Sequence, residues 1–408
     1  MKRLAKVLAA LLLLVAQSAV KGGAAEPPAV AIGVILPTSG SHAVSADYYV
    51  AGYNMAAQDI NAAGGIKGLG GAKIRLIYGD SQSDSARSAQ LAERMAEQDH
   101  VIAFTGSSTS TTAVAVQAVA EKSKIPFLIA SGITDSLTSR GFTFTFRNHY
   151  NTTLAATGDF EFYDYVSKVT KKPFKRIALL WENSVYGTES SAVARTLAPK
   201  YGYEIVADVS FKSGTPDLTS QLLQVRNAHA QAIIAWDYAT DAVVILKGMN
   251  TLGLHLPYIA AGVGTLDQSV VDLGQIAEGA FGIAQWNTDL STPGTASLRD
   301  RFEQAYHRAP NDNTSSAYQA LWILADALNE TRSLDPVALR NELARIHIKK
   351  GPALINPSRN NEVVFDASGQ SPSPQMLGIQ LQHGKFVTVW PERFAKGHVE
   401  DPGFQTNY

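Results

Sequence analysis

Six hydroxyl residues in a row, Ser107-Ser108-Thr109-Ser110-Thr111-Thr112, follow Gly106. They lie between an apolar run at 101–105 that reads as a strand and a stretch at 111–122 that reads as a helix. At such a junction the first backbone N–H groups of the helix have no partners within it, and the helix dipole adds positive potential. Hydroxyls on that turn can bind both oxygens of a carboxylate. Gly106 lets a small molecule approach the backbone closely. A single Ser or Thr would suffice to cap the helix, and six exceed that need. Ser108 and Thr109, with Ser107 beside them, are the candidate contacts for an anionic or strongly polar group.

Other candidates sit at similar junctions. Ser131-Gly132-Ile133-Thr134 follows the next strand-like run, and ligands of open parallel sheets bind outside the carboxyl ends of strands. Tyr186-Gly187 occupies a further strand-to-helix turn, where Tyr186 could face a ligand or pack beside a turn glycine. Trp236, Asp237 and Tyr238 end another apolar run. The two aromatics could form an apolar wall, although Trp236 could equally be core, and Asp237 could meet a cation. Catalytic motifs are missing: there is no His-Glu-x-x-His, no Gly-x-Ser-x-Gly and no phosphate-binding Gly-x-x-x-x-Gly-Lys. Gly262-Val263-Gly264 lacks the third glycine of a dinucleotide fingerprint. The nine His are scattered, and the absence of Cys excludes disulfides, thiol catalysis and thiolate metal sites. An enzyme is therefore not expected, nor a cofactor or metal.

These junctions need a frame that repeats strand and helix. Apolar strand-like runs at 29–36, 74–78, 101–105 and 126–130 alternate with helical stretches at 47–63, 85–98 and 111–122. The series restarts with strands at 176–181, 204–209, 232–236 and 257–261 and helices at 188–201, 218–228 and 241–252. Continuous apolar, β-branched runs separated by helices imply parallel sheets covered on both faces. Two such series predict an α/β protein with two similar lobes. Three successive helices, at 295–307, 315–329 and 336–346, then a hairpin about His383-Gly384, complete the chain. The helices should return to the first lobe and the hairpin should join the second. The expected extents are 28–148 with 283–370 for lobe 1, 149–282 with 371–395 for lobe 2, and 396–408 as a tail.

The N-terminus sets the compartment. A basic start (Lys2, Arg3, Lys6), an apolar run at 7–16 and the small residues Gly23-Ala24-Ala25 match a secretory signal peptide, with cleavage expected after Ala25. The apolar run is shorter than the roughly 20 residues that span a bilayer. Removing residues 1–25 takes away four cations and no acid, so the formal charge of −1 becomes more negative. No basic run remains, so nucleic acid is excluded as a partner. A soluble monomer in the periplasm is expected.

In this order, particular residues form a recognisable series. Ser39-Gly40 is followed by Asp59-Ile60-Asn61-Ala62-Ala63-Gly64-Gly65-Ile66-Lys67-Gly68, then Gly79-Asp80 and Gly106-Ser107-Ser108-Thr109. Ile125-Pro126-Phe127-Leu128-Ile129, Ser131-Gly132-Ile133-Thr134, Tyr186-Gly187 and Val389-Trp390-Pro391 continue it. Across the mature chain this resembles the leucine/isoleucine/valine-binding family of periplasmic proteins, which has the type I solute-binding fold. The resemblance implies two α/β lobes, a three-segment hinge, a ligand in the cleft and delivery to the membrane permease of an ATP-driven (ABC) importer. It also implies a carboxylate contact at residues 107–109, a carbonyl contact from Gly132, a hydroxyl contact from Thr134 and a cover from Tyr186. Ser45 stands where the family often has an aromatic ligand contact. Many relatives carry an acid after the strand matching 257–261 to pair an α-ammonium, but this chain reads Ala260-Ala261-Gly262-Val263-Gly264. Asp237 is the best substitute. A branched-chain or related amino acid is thus the first expectation for the ligand. The alternatives are an aromatic or keto acid or an amide, or a role as a ligand sensor for a receptor.

Overall fold

The structure is a computed structural model that describes residues 29–261, 264–401 and 403–404. The expected signal peptide, residues 1–25, lies outside the described residues.

The first sheet is wholly parallel, with strand order 2-1-3-4-5. Its strands are β1 (Val30–Leu36), β2 (Ile74–Asp80), β3 (Ala103–Gly106), β4 (Phe127–Ile129) and β5 (Thr145–Arg147). All seven residues of β1 are buried, because helices cover both faces of the sheet. The helices of this part are α1 (Ala46–Ala62), α2 (Ser85–Glu97), α3 (Ser110–Ser123) and the single turn α4 (Ser136–Ser139). Ile32 and Val34 point into one core with α1, and Ala31 and Ile35 into another with α2 and α3.

The second sheet has seven strands in the order 12-11-10-9-8-6-7. They are β6 (Arg176–Glu182), β7 (Glu204–Phe211), β8 (Ala232–Trp236), β9 (Tyr258–Ala261), β10 (Phe281–Ala284), β11 (Leu377–Gln382) and β12 (Lys385–Trp390). Strands β6 to β10 are parallel, and β11 and β12 add an antiparallel hairpin. Between the strands run α5 (Thr152–Thr170), α6 (Val185–Leu197), α7 (Thr219–Asn227), α8 (Ala239–Thr251) and the short α9 (Gln268–Val271). Two α/β lobes of mostly parallel strands result, as the alternation of runs implies.

After β10 the chain returns to the first lobe as α10 (Thr295–Tyr306), α11 (Asp312–Thr331) and α12 (Pro336–Leu343). Helix α11 packs on α1 so closely that a Cβ on Gly52 would come within 2.2 Å of the Thr314 carbonyl oxygen. The chain passes between the sheets three times, after β5, after β10 and before β11. At the last passage Gln370 bridges to Arg147, the final residue of β5.

Two boundaries differ from expectation. Strand β10 runs to Ala284 within the second sheet, two residues past the expected limit at 282, because Gly282, Ile283 and Ala284 pair with β11. Residues 396–401 and 403–404 pack on the second lobe: Gln380 Nε2 donates to the Glu400 carbonyl at 2.7 Å, and the Phe404 ring lies 5.8 Å from that of Phe281. His383, at the hairpin turn, donates its backbone N–H to Glu278 at 2.8 Å, and its ring is 3.4 Å from Glu400. Among the described residues, no helix is long and apolar enough to cross a membrane.

Candidate ligand-binding site

The carboxyl ends of β3, β4, β6 and β8 face one another across the two lobes. Between them lie two adjoining small cavities, which share Ser108 and Tyr238 in their walls. The first is lined by Ser108, Ser110, Ser131, Gly132, Ile133, His149 and Tyr150, and by Tyr186 and Tyr238 from the second lobe. The second is lined by Ser45, His42, Tyr49, Thr109 and neighbours. The lobes touch here: the rings of His42 and Tyr238 are 4.3 Å apart, and Ser136 N–H donates to Glu189 at 3.2 Å.

The turn after β3 is built for exposure of its polar groups. Gly106 has φ +110°, and a Cβ there would come within 2.5 Å of the Ile35 carbonyl oxygen, so only glycine fits. Ser107 follows at φ +58°. The hydroxyls of Ser107 and Ser108 are buried without a hydrogen-bond partner. Of the two, Ser108 lines both cavities. Thr109 behaves differently. It is the N-cap of α3, accepting from Thr112 N–H at 3.3 Å, with its hydroxyl 2.9 Å from that of Thr112. Its hydroxyl caps the helix, and Thr109 lines the second cavity but not the first. Ser110 instead lines the first cavity and accepts from Thr134 N–H at 3.3 Å.

Gly132 lines the first cavity, and its carbonyl accepts from Arg147 Nη1 at 3.0 Å. The Thr134 carbonyl accepts from the same nitrogen at 2.7 Å, while its hydroxyl is buried without a partner. Ser45 lines the second cavity but not the first.

Tyr186 is only 6% exposed, and its ring lies 5.5 Å from that of Tyr238, inclined by 53°. Glu182 shapes this turn by accepting from Ser184 Oγ at 2.6 Å and Gly187 N–H at 2.9 Å. Burial still pushes the Glu182 carboxyl above the usual range, against those hydrogen bonds. A Cβ at Gly187 would sit 1.9 Å from the Glu182 carbonyl oxygen, which explains the Tyr-Gly pair.

Four expected site residues, Ser107, Thr134, Trp236 and Asp237, fall outside both cavities. Trp236 is fully buried and packs with Phe160 and Ile259 in the core of the second lobe. Ala232, Ile234 and Trp236 share that face of β8, and Ile233 and Ala235 share the other, as strand alternation requires. Asp237 is also fully buried. Its Oδ2 accepts a short hydrogen bond from the Tyr258 hydroxyl, and Oδ1 crowds Gly264, where a Cβ would come within 1.8 Å. Burial pushes its pKa far up, and Asp241 and Glu182 add to the effect. Asp237 is therefore directed at the β9 side and lines neither cavity.

The sequence reading missed the wall residues His149, Tyr150 and Tyr49, and it named Ser110 and Ser131 only as members of their turns. The Tyr49 hydroxyl bonds to Ser131 and lies 2.6 Å from Asn313 Oδ1. His149 Nε2 is 2.9 Å from Asp312 Oδ2, and both residues are buried.

With this geometry, the comparison with known families is decisive: the model of the periplasmic binding protein family matches residues 29–383. The chain belongs to that family. A curated relative, "Leu/Ile/Val-binding protein homolog 7" of Brucella abortus (strain 2308), is 27% identical over 94% of this chain and 97% of its own length. Among solved structures, the branched-chain amino acid transporter substrate-binding protein LivJ from Streptococcus pneumoniae, in complex with isoleucine, superposes with a TM-score of 0.76. It is 23% identical, over 88% of this chain and 97% of that one. A solute-binding protein from R. palustris in complex with benzoate superposes with a TM-score of 0.78 at 18% identity, over 91% of this chain and 98% of that one. These structures share the type I periplasmic binding fold with this family member.

Proposed function

We propose that this periplasmic binding protein is the solute-binding component of an ABC importer and that it takes up a small amphipathic carboxylate, foremost a branched-chain or related amino acid. The observation that carries this reading is the buried, partnerless Ser108 hydroxyl, at the foot of α3 and in the wall of both cavities. A carboxylate seated there accepts from Ser108 and from N–H groups of the turn. Tyr150, Tyr186, Tyr238 and Ile133 provide a largely apolar enclosure for the ligand body. Lobe 1 in this reading comprises 28–148 and the return segment up to 370, and lobe 2 the remainder. A signal peptide directs the chain to the periplasm and is cleaved after Ala25, and a monomer presents the closed lobes to the permease.

Ser108→Ala should weaken ligand binding by roughly 1–3 kcal/mol, the usual loss for one hydrogen bond to a charged group. Thr109→Ala should instead lower folding stability by about 1 kcal/mol through its cap. Calorimetry and thermal melts on both variants check this. Equal ligand affinity in wild type and Ser108→Ala would refute the anchor.

Closure is the second expectation. Tyr186 and Tyr238 reach the site from one lobe and the Ser108 turn from the other, so saturating ligand should hold the lobes together and raise the melting temperature by mass action. Small-angle scattering should show a smaller radius of gyration at saturation. No change in the radius would count against a hinged clamp.

An aromatic or keto acid is the second reading. It is favoured by the position of Asp237 outside the cavities and by the three tyrosines in the wall. The benzoate complex of a protein with the same fold is compatible with it. A thermal-shift panel of leucine, isoleucine and valine against their keto acids and benzoate separates the two readings.

A further inference from the structure

The first cavity contains a buried polar pair that the reading so far leaves unused. His149 forms part of its wall and is 2% exposed, yet Nδ1 has no hydrogen-bond partner. Its Nε2 meets Asp312 Oδ2 at 2.9 Å. Asp312 is 1% exposed, its Oδ1 is also unpartnered, and its Oδ2 meets the His149 ring.

The tautomer follows from these contacts. Asp312 is the first residue of the 20-residue helix α11, where the helix dipole is favourable to a negative charge. A carboxylate has no proton to share, so Nε2 carries the hydrogen, and in the neutral ring Nδ1 is a buried acceptor without a donor. A buried lone pair without a donor and a buried anion without a cation are both unfavourable. An ammonium group satisfies both, donating N–H to Nδ1 while its charge offsets Asp312 through the ring. The other acid considered for that task, Asp237, is bound by Tyr258 and lines neither cavity.

We infer that the ammonium of the ligand is held by His149 Nδ1 and compensated by Asp312, so that the ligand is a zwitterionic α-amino acid and not an acid lacking the amino group. This rests on the amino-acid reading above and assigns its missing counter-charge to the segment after β5 and to the start of α11.

Calorimetry with leucine, isoleucine, valine and their keto acids on wild type, Asp312→Asn and His149→Phe tests it. Wild type should bind at least one of the amino acids. Both variants should weaken that binding by about tenfold to a hundredfold, the loss expected for a hydrogen bond to a charged group, and should weaken any keto-acid binding far less. Unchanged amino-acid affinity in variants that melt like wild type would overturn the inference and leave the amino-acid reading standing. Wild type that binds only keto acids would overturn both. If the substitutions disturb folding, ¹⁵N NMR of the wild-type histidines gives a second readout. The His149 Nδ1 signal should move from the position of a free lone pair on adding the amino acid, and a signal that stays in place overturns the proposal.

Discussion

Asp159→Asn will stabilise the protein, and the gain will be larger at pH 8 than at pH 4. Asp159 lies in α5, is fully buried, and neither of its carboxyl oxygens has a hydrogen-bond partner. Burial alone pushes its pKa well above the usual carboxylate value. Below the ordinary carboxyl pKa of about 4 the side chain is protonated in both the folded and the unfolded chain, and the substitution changes little. Above it the unfolded chain gives up its proton while the folded chain keeps it. The unfolded state then binds fewer protons, so stability falls by about 1.4 kcal/mol per pH unit until the raised folded-state pKa is reached. Asn carries no such penalty. Urea unfolding of both proteins at pH 4, 6 and 8 reads the difference directly. A difference that does not change with pH would mean that the Asp159 carboxyl is not held uncharged, for instance because an ordered water or a cation meets it.

Asp159 also illustrates what the sequence conceals. Helix α5, the longest element of the second lobe, has buried residues on most of its surface, including Ala155, Ala156, Phe160, Phe162 and Tyr163. A helix packed on several sides loses the one-sided periodicity by which helices are read, and an acid among its apolar residues looks like a solvent-facing position. No helix was read there from the sequence, although Asn151 caps its start, its side chain accepting from Leu154 N–H at 2.9 Å. Strands β5 and β10, of three and four residues, are too short to show a pattern. The longer strands and their helices were legible because their apolar runs stand between clear turn signals. At the site, turns were legible and directions were not. Gly106 and Gly187 mark close backbone approaches that only glycine permits. Whether a polar side chain faces the cleft or the scaffold depends on partners remote in sequence. Thr109 turned to its own helix, Asp237 turned to Tyr258, and His149 reached the cavity with a partner 163 residues away. No local spacing encodes that last pairing, which depends on the return of α11 to the first lobe.

The largest combined loss of stability and binding is expected from Arg147→Met. Arg147 ends β5, is fully buried, and spreads its guanidinium over four acceptors. Nη1 donates to the carbonyls of Gly132 and Thr134 at 3.0 and 2.7 Å, Nη2 to the Thr138 hydroxyl at 3.0 Å, and Nε to Gln370 Oε1 at 2.6 Å. Its backbone also pairs with residues 369 and 371. One side chain thus fixes the turn that lines the first cavity and ties it to the last passage between the lobes. Burial draws the guanidinium pKa down to about 10, against the more distant charges of Asp135, Glu189 and Asp366, so the side chain remains a cation at neutral pH. Methionine would fill much of the volume but remove all four donors, leaving the Gly132 carbonyl an orphan, while the Thr134 carbonyl keeps Leu137 N–H at 3.1 Å and Gln370 Oε1 keeps the Thr138 hydroxyl at 3.5 Å. Such an orphan costs about 1–3 kcal/mol when water cannot reach it. With the other lost hydrogen bonds the total should be about 3–5 kcal/mol, the range for breaking a buried charged network. Ligand affinity should fall further than in Ser108→Ala, because the whole 131–134 turn loses its support. Arg147→Lys should recover little, since one ammonium cannot span the planar set of acceptors. Denaturant unfolding gives the stability change, and calorimetry on the fraction that remains folded gives the affinity. A methionine variant within about 1 kcal/mol of wild type, the range of an ordinary surface substitution or little more, with unchanged affinity, would show that the turn at 131–134 is held by its own strand and helix and not by Arg147.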